Sequence, residues 1–229
     1  MSTAGVPNFF PMIIALSGYA GCGKDAAANF IRQIDPDFEI KKFSGKLKTI
    51  ASILTGFSED SFEDQEFKKS FLGNEWGTVR ENPLNAIDPF SSIDFIELMS
   101  VREFLQKLGT DAIRNGLHPN AWVNALMAKY NHTSRSEWVR DTRVNIQESK
   151  WVITDCRFPN EAQAVKDRGG VVVRIDRSGN NPVNAHPSET ALDDWDFDHI
   201  IINNGSLEDL KSSVQILLNE SNHTTSAMS

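Results

Sequence analysis

Two cysteines in 229 residues, Cys22 and Cys156, are too few for a disulfide framework, and the expectation is a pair of reduced thiols in a cytosol. No stretch approaches the roughly 20 apolar residues that a membrane helix needs. The opening MSTAGVPNFFP lacks a basic region and a long apolar run, so it does not read as a secretion signal. Basic residues are in the minority, 23 against 31 acidic, for a net charge of −8. That excludes a protein that grips long nucleic acid through a basic face, because counterion release supplies most of such affinity. A small phosphorylated molecule stays within reach if local cations and backbone amides override the global field. Five scattered histidines give no zinc-ligand spacing, and no G-x-S-x-G nucleophile signature occurs. No internal repeat is present.

What remains is ordinary globular material, 40% hydrophobic and 24% charged, enough for one α/β domain or a core with an insertion. Strand signals fall at Met12–Ser17, Glu39–Ser44, Trp151–Asp155, Val171–Asp176 and His199–Asn203, short β-branched runs bounded by turn residues. Helical segments lie between them: Lys24–Ile34, Asn160–Arg168 before Gly169-Gly170, and a helix opened by Ser206 with Asp209 three residues on. In this last helix Leu207, Leu210, Val214 and Leu217 are expected to line one face. Alternating strand and helix predict a parallel sheet covered on both faces, with Glu39–Ser44 near an edge.

The exception is residues 46–150, with almost no strand signal. Leu47, Ile50, Ala51 and Leu54 predict one helical face, and Val101, Phe104, Leu105, Leu108 and Ala112 a second. Pro119 fits the first turn of a third helix carrying Trp122, Val123, Leu126, Met127 and Tyr130. Residues 73–92 read as loop. The expected organisation is a single domain, with core 12–45 and 151–218, a helical insertion at about 46–150, and flexible tails at 1–11 and 219–229.

Chemistry enters with SGYAGCGKD. Gly18, four residues, Gly23 and Lys24 fit the phosphate-cradling pattern G-x-x-x-x-G-K-[ST], except that Asp25 holds the hydroxyl's place. The run follows an apolar strand and opens a helix, where backbone N–H groups converge on a phosphate. Gly18, Tyr19, Ala20, Gly21, Cys22, Gly23, Lys24, Asp25 and Ala26 are therefore the expected nucleotide loop, with Lys24 on the outer phosphates. Asp25 is either an oxygen ligand for Mg²⁺ or a helix cap. In WVITDCRFPNEAQAV, Asp155 ends a strand where phosphate-loop enzymes place a metal-holding acid, and Arg157 falls on the loop beyond. That is the edge at which open α/β sheets bind ligands. Arg157 could stabilise a transferring phosphoryl group; the alternative is that Asp155 caps the next helix and Arg157 pairs with Glu161.

The set SGYAGCGKD, FSGKLK, VREFLQKLGTDAIR with Trp122-Val123, TDCRFPNEA and IINNGSLEDL resembles the deoxynucleoside monophosphate kinases of tailed bacteriophages. The resemblance runs from Met12 to about Leu218, and Asp after the loop lysine is a trait of that family. It implies an α/β three-layer P-loop NTPase fold with a parallel five-stranded sheet, a helical NMP-binding insertion and a lid. It implies ATP and Mg²⁺, with Lys24, Arg157 and Asp155 catalytic and Asp25 and Asp155 at the metal. Asn203, Asn204 and Gly205 would lie against the ATP base. Arg102, Gln106, Gly109, Thr110, Asp111, Arg114 and Trp122 would line the monophosphate site, with Ser44 and Lys48 at its entrance and Glu161 counted with them. Family members often read A-D-P-L-K there, whereas Gly45 and Lys46 replace Asp and Pro here. His186, Ser188 and Glu189 resemble a lid-side motif without an assigned role.

The implied reaction moves the ATP γ-phosphoryl group onto a deoxynucleoside monophosphate, in the cytoplasm of an infected bacterium. Neither a nucleic acid polymer nor a membrane is a partner, and a homodimer is left open. The alternatives are another small-molecule kinase of the dephospho-coenzyme A kinase type and a nucleotide-dependent switch. Against the switch, neither an N-K-x-D guanine signature nor a D-x-x-G after the third strand is present.

Overall fold

A computed structural model of the chain describes residues 13–80, 95–130, 135–139, 142–146, 149–179 and 190–220. The proposed lid motif His186–Glu189, the tail 1–11, all but the first two residues of the tail read at 219–229, and part of the loop read at 73–92 lie outside the described residues; Asn219 and Glu220 close the last helix instead of opening a tail. The chain divides into two compact units, one of them Ser44–Trp122 and the other built from the segments on either side of it.

The second of these holds a five-stranded parallel sheet. Strands β1 (Ile13–Ser17), β2 (Phe38–Lys41), β7 (Lys150–Ile153), β8 (Val171–Asp176) and β9 (His199–Ile202) line up in the order β2-β7-β1-β8-β9. β1 is central and every residue in it is buried, as expected for a strand covered on both faces. β2 lies at the edge, where its weaker signal placed it.

Helices α1 (Lys24–Ile34) and α7 (Leu207–Glu220) close one face. Ala27, Ala28 and Ile31 of α1 pack with Ile14, Leu16, Val173 and Ile175, and the small alanines let the helix lie close to the sheet. On α7 the buried stripe is Leu210, Val214, Leu217 and Leu218, a run at i, i+4, i+7 and i+8. Leu207, expected in that stripe, sits in the first turn and is 67% exposed. Helix α6 (Pro159–Lys166) packs against β1 and β8. An antiparallel ribbon, β5 (Arg135–Val139) with β6 (Thr142–Ile146), stands in the region where no strand was anticipated.

The chain leaves β1 through α1 to reach β2 and β7 on one side, then crosses to β8 on the other. The mouth of β1 is therefore the switch point at which open α/β sheets bind ligands, and the glycine loop stands directly on it.

In the Ser44–Trp122 unit, α2 (Gly45–Thr55), α3 (Gln65–Lys69) and α4 (Val101–Gln106) surround a core of Ala51, Phe62, Leu72, Val101 and Phe104. A short ribbon of β3 (Thr78–Arg80) and β4 (Phe95–Glu97) belongs to the same unit. Only Ala51 of the face expected on α2 is buried, and Leu54 is exposed. The helix expected over Val101–Arg114 changes character midway: Lys107–Asn115 is a π-helix, in which Gly116 N–H donates to the Asp111 carbonyl five residues back. Its wider turn shifts the buried face, so Ala112 is exposed while Gly109 and Arg114 are buried. Helix α5 (Ala121–Met127) begins two residues after Pro119.

Candidate active site

Three glycines shape the loop after β1, with φ of 139° at Gly18, 76° at Gly21 and 109° at Gly23. A side chain at Gly18 would collide with the Ile175 carbonyl oxygen, and one at Gly23 would stand 2.5 Å from Asn203 Nδ2. Both positions thus demand glycine for conformation and for space. Gly23 caps α1 without a side-chain hydrogen bond, so the first amides of an 11-residue helix stay available to an anion. Asp25 is exposed in that first turn.

Lys24 folds back over the loop, its Nζ donating to the carbonyls of Gly18 at 2.7 Å and Tyr19 at 2.9 Å, with Cys22 Sγ at 3.6 Å. Burial lowers its pKa; the nearby Cys22 opposes this and the Arg157 charge reinforces it. A partly desolvated ammonium held on two carbonyl oxygens and a thiol is well suited to exchange them for an anionic ligand.

Beyond β7, Asp155 is half-buried and its Oδ1 accepts from the Phe43 N–H at 2.7 Å. The backbone N–H groups of Arg157 and Phe158 donate to Glu161 Oε2 at 2.9 and 3.2 Å. Glu161 is 2% exposed, so its carboxylate braces the loop end and the start of α6 from beneath. Arg157 therefore meets Glu161 through its main chain, and its side chain is exposed. Ser17, Gly18, Tyr19, Ala20, Cys156 and Arg157 border one small cleft, so the glycine loop and this arginine share a wall.

At the end of β9, Asn203 is 8% exposed and its Nδ2 donates to the Cys22 carbonyl at 2.8 Å. Asn204 accepts from the Ser178 N–H at 2.8 Å. Gly205 packs under the Asp209 carboxylate, which accepts from Ser206 N–H at 2.8 Å and so caps α7. A cavity of about 690 Å³ opens beside Asn204, walled by Tyr19, Arg174, Arg177, Trp195 and Phe197. Arg174 and Asp193 were not anticipated; the available signal was one arginine set among the apolar residues of the run VVVRID.

Apart from Glu161 on α6, the residues expected around the monophosphate fall in the other unit, at Ser44 and on α2, α4, the π-helix and the start of α5. Ser44 caps α2, and Lys48 pairs with Glu63. Arg102 is exposed and reaches Gln65 Oε1 at 3.5 Å. Gln106 and Thr110 are half-buried and Asp111 is exposed. Gly109 gives its carbonyl to the Trp122 Nε1–H at 2.9 Å, so that indole is a buried prop of the π-helix. Arg114 is buried and donates to the Pro119 carbonyl at 3.3 Å.

The family model of deoxynucleotide monophosphate kinase matches residues 85–214. A protein of Acanthamoeba polyphaga mimivirus, provisionally named deoxynucleotide monophosphate kinase, is 28% identical over 212 residues, 89% of this chain and 94% of the relative. The deoxynucleotide monophosphate kinases of Escherichia phage RB69 and Enterobacteria phage T4 are 29% and 30% identical over 119 and 116 residues. Those two matches span about half of this chain and only 45% and 44% of the phage proteins. Since the family match takes in more than half of the residues, with β7, Arg157, β8 and Asn203 inside it, the chain belongs to the deoxynucleotide monophosphate kinase family.

Proposed function

We propose that the chain transfers the γ-phosphoryl group of ATP to the 5′-phosphate of a deoxynucleoside monophosphate, giving the diphosphate and ADP. One observation carries this reading: a glycine loop with a partly desolvated lysine, at the switch point of a parallel sheet, shares a cleft with an exposed arginine. The names of the phage relatives supply the acceptor class.

Phosphoryl transfer is helped mainly by positioning and by offsetting charge. The amides of residues 18–25 and the Lys24 ammonium hold the β- and γ-phosphates. Arg157 stabilises the group in flight, and Arg102 and Arg114 take the acceptor phosphate. That acceptor is already an anion, so no general base is required. Among the described residues no cluster of three or more His, Cys, Asp or Glu could cage a metal alone. This suits Mg²⁺, which takes one or two carboxylates and completes its shell with phosphate oxygens and water. Asp25 and Asp155 are its candidate ligands, directly or through water, and the bound ion would neutralise phosphate charge.

The test is ADP release by the purified chain with ATP and each of the eight common ribo- and deoxyribonucleoside monophosphates. The expected result is Mg²⁺-dependent ADP formation, one equivalent per diphosphate, with at least one deoxynucleotide. ADP release that ignores the monophosphate, or that requires a different class of acceptor, overturns the reading.

A further inference from the structure

Arg174 poses a physical problem. It stands in β8 between Val173 and Ile175, both in the sheet core, and its side chain is only 9% exposed. A guanidinium taken from water must be paired in good geometry or it destabilises the fold by several kcal/mol. Here it is paired twice, with Asp176 at 2.8 Å and Asp193 at 3.2 Å. Its plane also lies over the Tyr19 ring at 4.6 Å and the Phe197 ring at 5.6 Å.

Asp176 alone would satisfy the charge, so Asp193 needs a separate explanation. Its carboxylate is forked: one oxygen meets Arg174 and the other accepts from the Tyr19 hydroxyl at 2.8 Å. The latter bond contributes nothing to neutralising Arg174; its effect falls on the phosphate loop. Tyr19 follows Gly18, and its carbonyl accepts from both Lys24 Nζ at 2.9 Å and Cys22 N–H at 3.2 Å. Asp193 itself is carried on a hydrogen-bonded turn, Asp193 N–H to Thr190 and Trp195 N–H to Leu192. In that turn Leu192 is 2% exposed and walls the cleft shared by the loop and Arg157. One turn thus delivers an apolar plug to the loop's cleft and a carboxylate to its aromatic side chain.

We propose that Asp193, oriented by Arg174, is a positioning residue that clamps Tyr19 and thereby sets the shape of the phosphate loop for the donor nucleotide. The inference rests on the reading of this loop as the ATP site. The clamp acts before any chemistry, so its signature is donor affinity.

The experiment measures ATP affinity of the full chain by equilibrium dialysis for wild type, Tyr19→Phe, Asp193→Ala and the double variant. Tyr19→Phe keeps the ring over Arg174 and removes only the hydroxyl. Each single substitution is expected to raise the Kd for ATP about threefold to tenfold, the net scale of one ordinary hydrogen bond. The double variant should stay near the larger single effect and well below the product of the two, because both changes remove the Tyr19–Asp193 bond, Asp193→Ala losing its bond to Arg174 as well. KM for the monophosphate should stay within about twofold, a split that general loss of folded protein does not produce. Wild-type ATP affinity in Tyr19→Phe and Asp193→Ala, or effects that simply add, overturns the clamp. Should Asp193→Ala fail to fold, Tyr19→Phe decides by itself. If the wild type binds ATP yet phosphorylates no monophosphate, the catalytic proposal falls and the clamp is still judged on affinity. A wild type that does not bind ATP ends both.

Discussion

Asn203 holds the phosphate loop from a distance of 181 positions in sequence: its side-chain amide donates to the Cys22 carbonyl at 2.8 Å, and its own N–H is anchored on Asp176 at 2.7 Å. The same amide fills the space that a side chain at Gly23 would need. Replacing it with alanine strands a buried carbonyl, a loss of about 1–3 kcal/mol. Asn203→Ala is expected to lower Tm by roughly 3–10 °C and to weaken ATP binding several-fold, read by calorimetry and dialysis. Wild-type values for both would remove the brace from the account.

Arg157 separates fold from chemistry. Its backbone is tied to Glu161 while its side chain is exposed, so truncation leaves the loop's hydrogen bonds in place. Arg157→Ala should cut kcat on the order of 10³-fold, with ATP affinity within about threefold of wild type. Single-turnover kinetics checks this, and a near-normal kcat denies the residue its role.

Glu161 has the opposite profile. Its carboxylate is buried and receives two backbone N–H groups, so it supports the segment that carries Arg157. Glu161→Ala should destabilise the protein by about 1–3 kcal/mol and slow turnover together, whereas Glu161→Gln, which keeps an acceptor oxygen, should recover much of both. Direct contact with substrate would instead show as a raised monophosphate KM at unchanged Tm.

Lys24 ties stability to pH. Burial lowers its pKa in the folded state below the ordinary lysine value of 10.5. Between those two values the unfolded chain holds more protons, so the folded state gains stability as pH rises through that window. Lys24→Met has no such proton. The Tm of the nucleotide-free wild type should therefore improve relative to Lys24→Met as pH climbs toward 10.5, with turnover abolished in the variant throughout. A Tm difference that is flat with pH, or that moves against the wild type, contradicts a desolvated ammonium.

Much of this was legible in the chain itself. Short β-branched runs such as MIIALS and VVVRID can bury both faces only as inner strands of a parallel sheet, and hydrogen-bonded capping by Ser206 and Asp209 is a purely local matter. The glycine-rich turn between the first strand and its helix was equally plain, because its glycines and lysine fall within one short run. Periodicity misled where local geometry departs from 3.6 residues per turn, as in the π-helix that leaves Ala112 outside and brings Gly109 and Arg114 in.

Local spacing therefore determined the strands, most helices and the glycine-rich turn at the mouth of the first strand. Tertiary structure alone decided which polar groups pair with one another. Asn203 turned out to be bonded to Cys22 and Asp193 to Tyr19, each from a remote segment, and Trp122 to Gly109 from the next helix. The reason is physical: a buried polar group must find a partner, but one-dimensional order does not say which distant donor or acceptor the fold will bring within 3 Å.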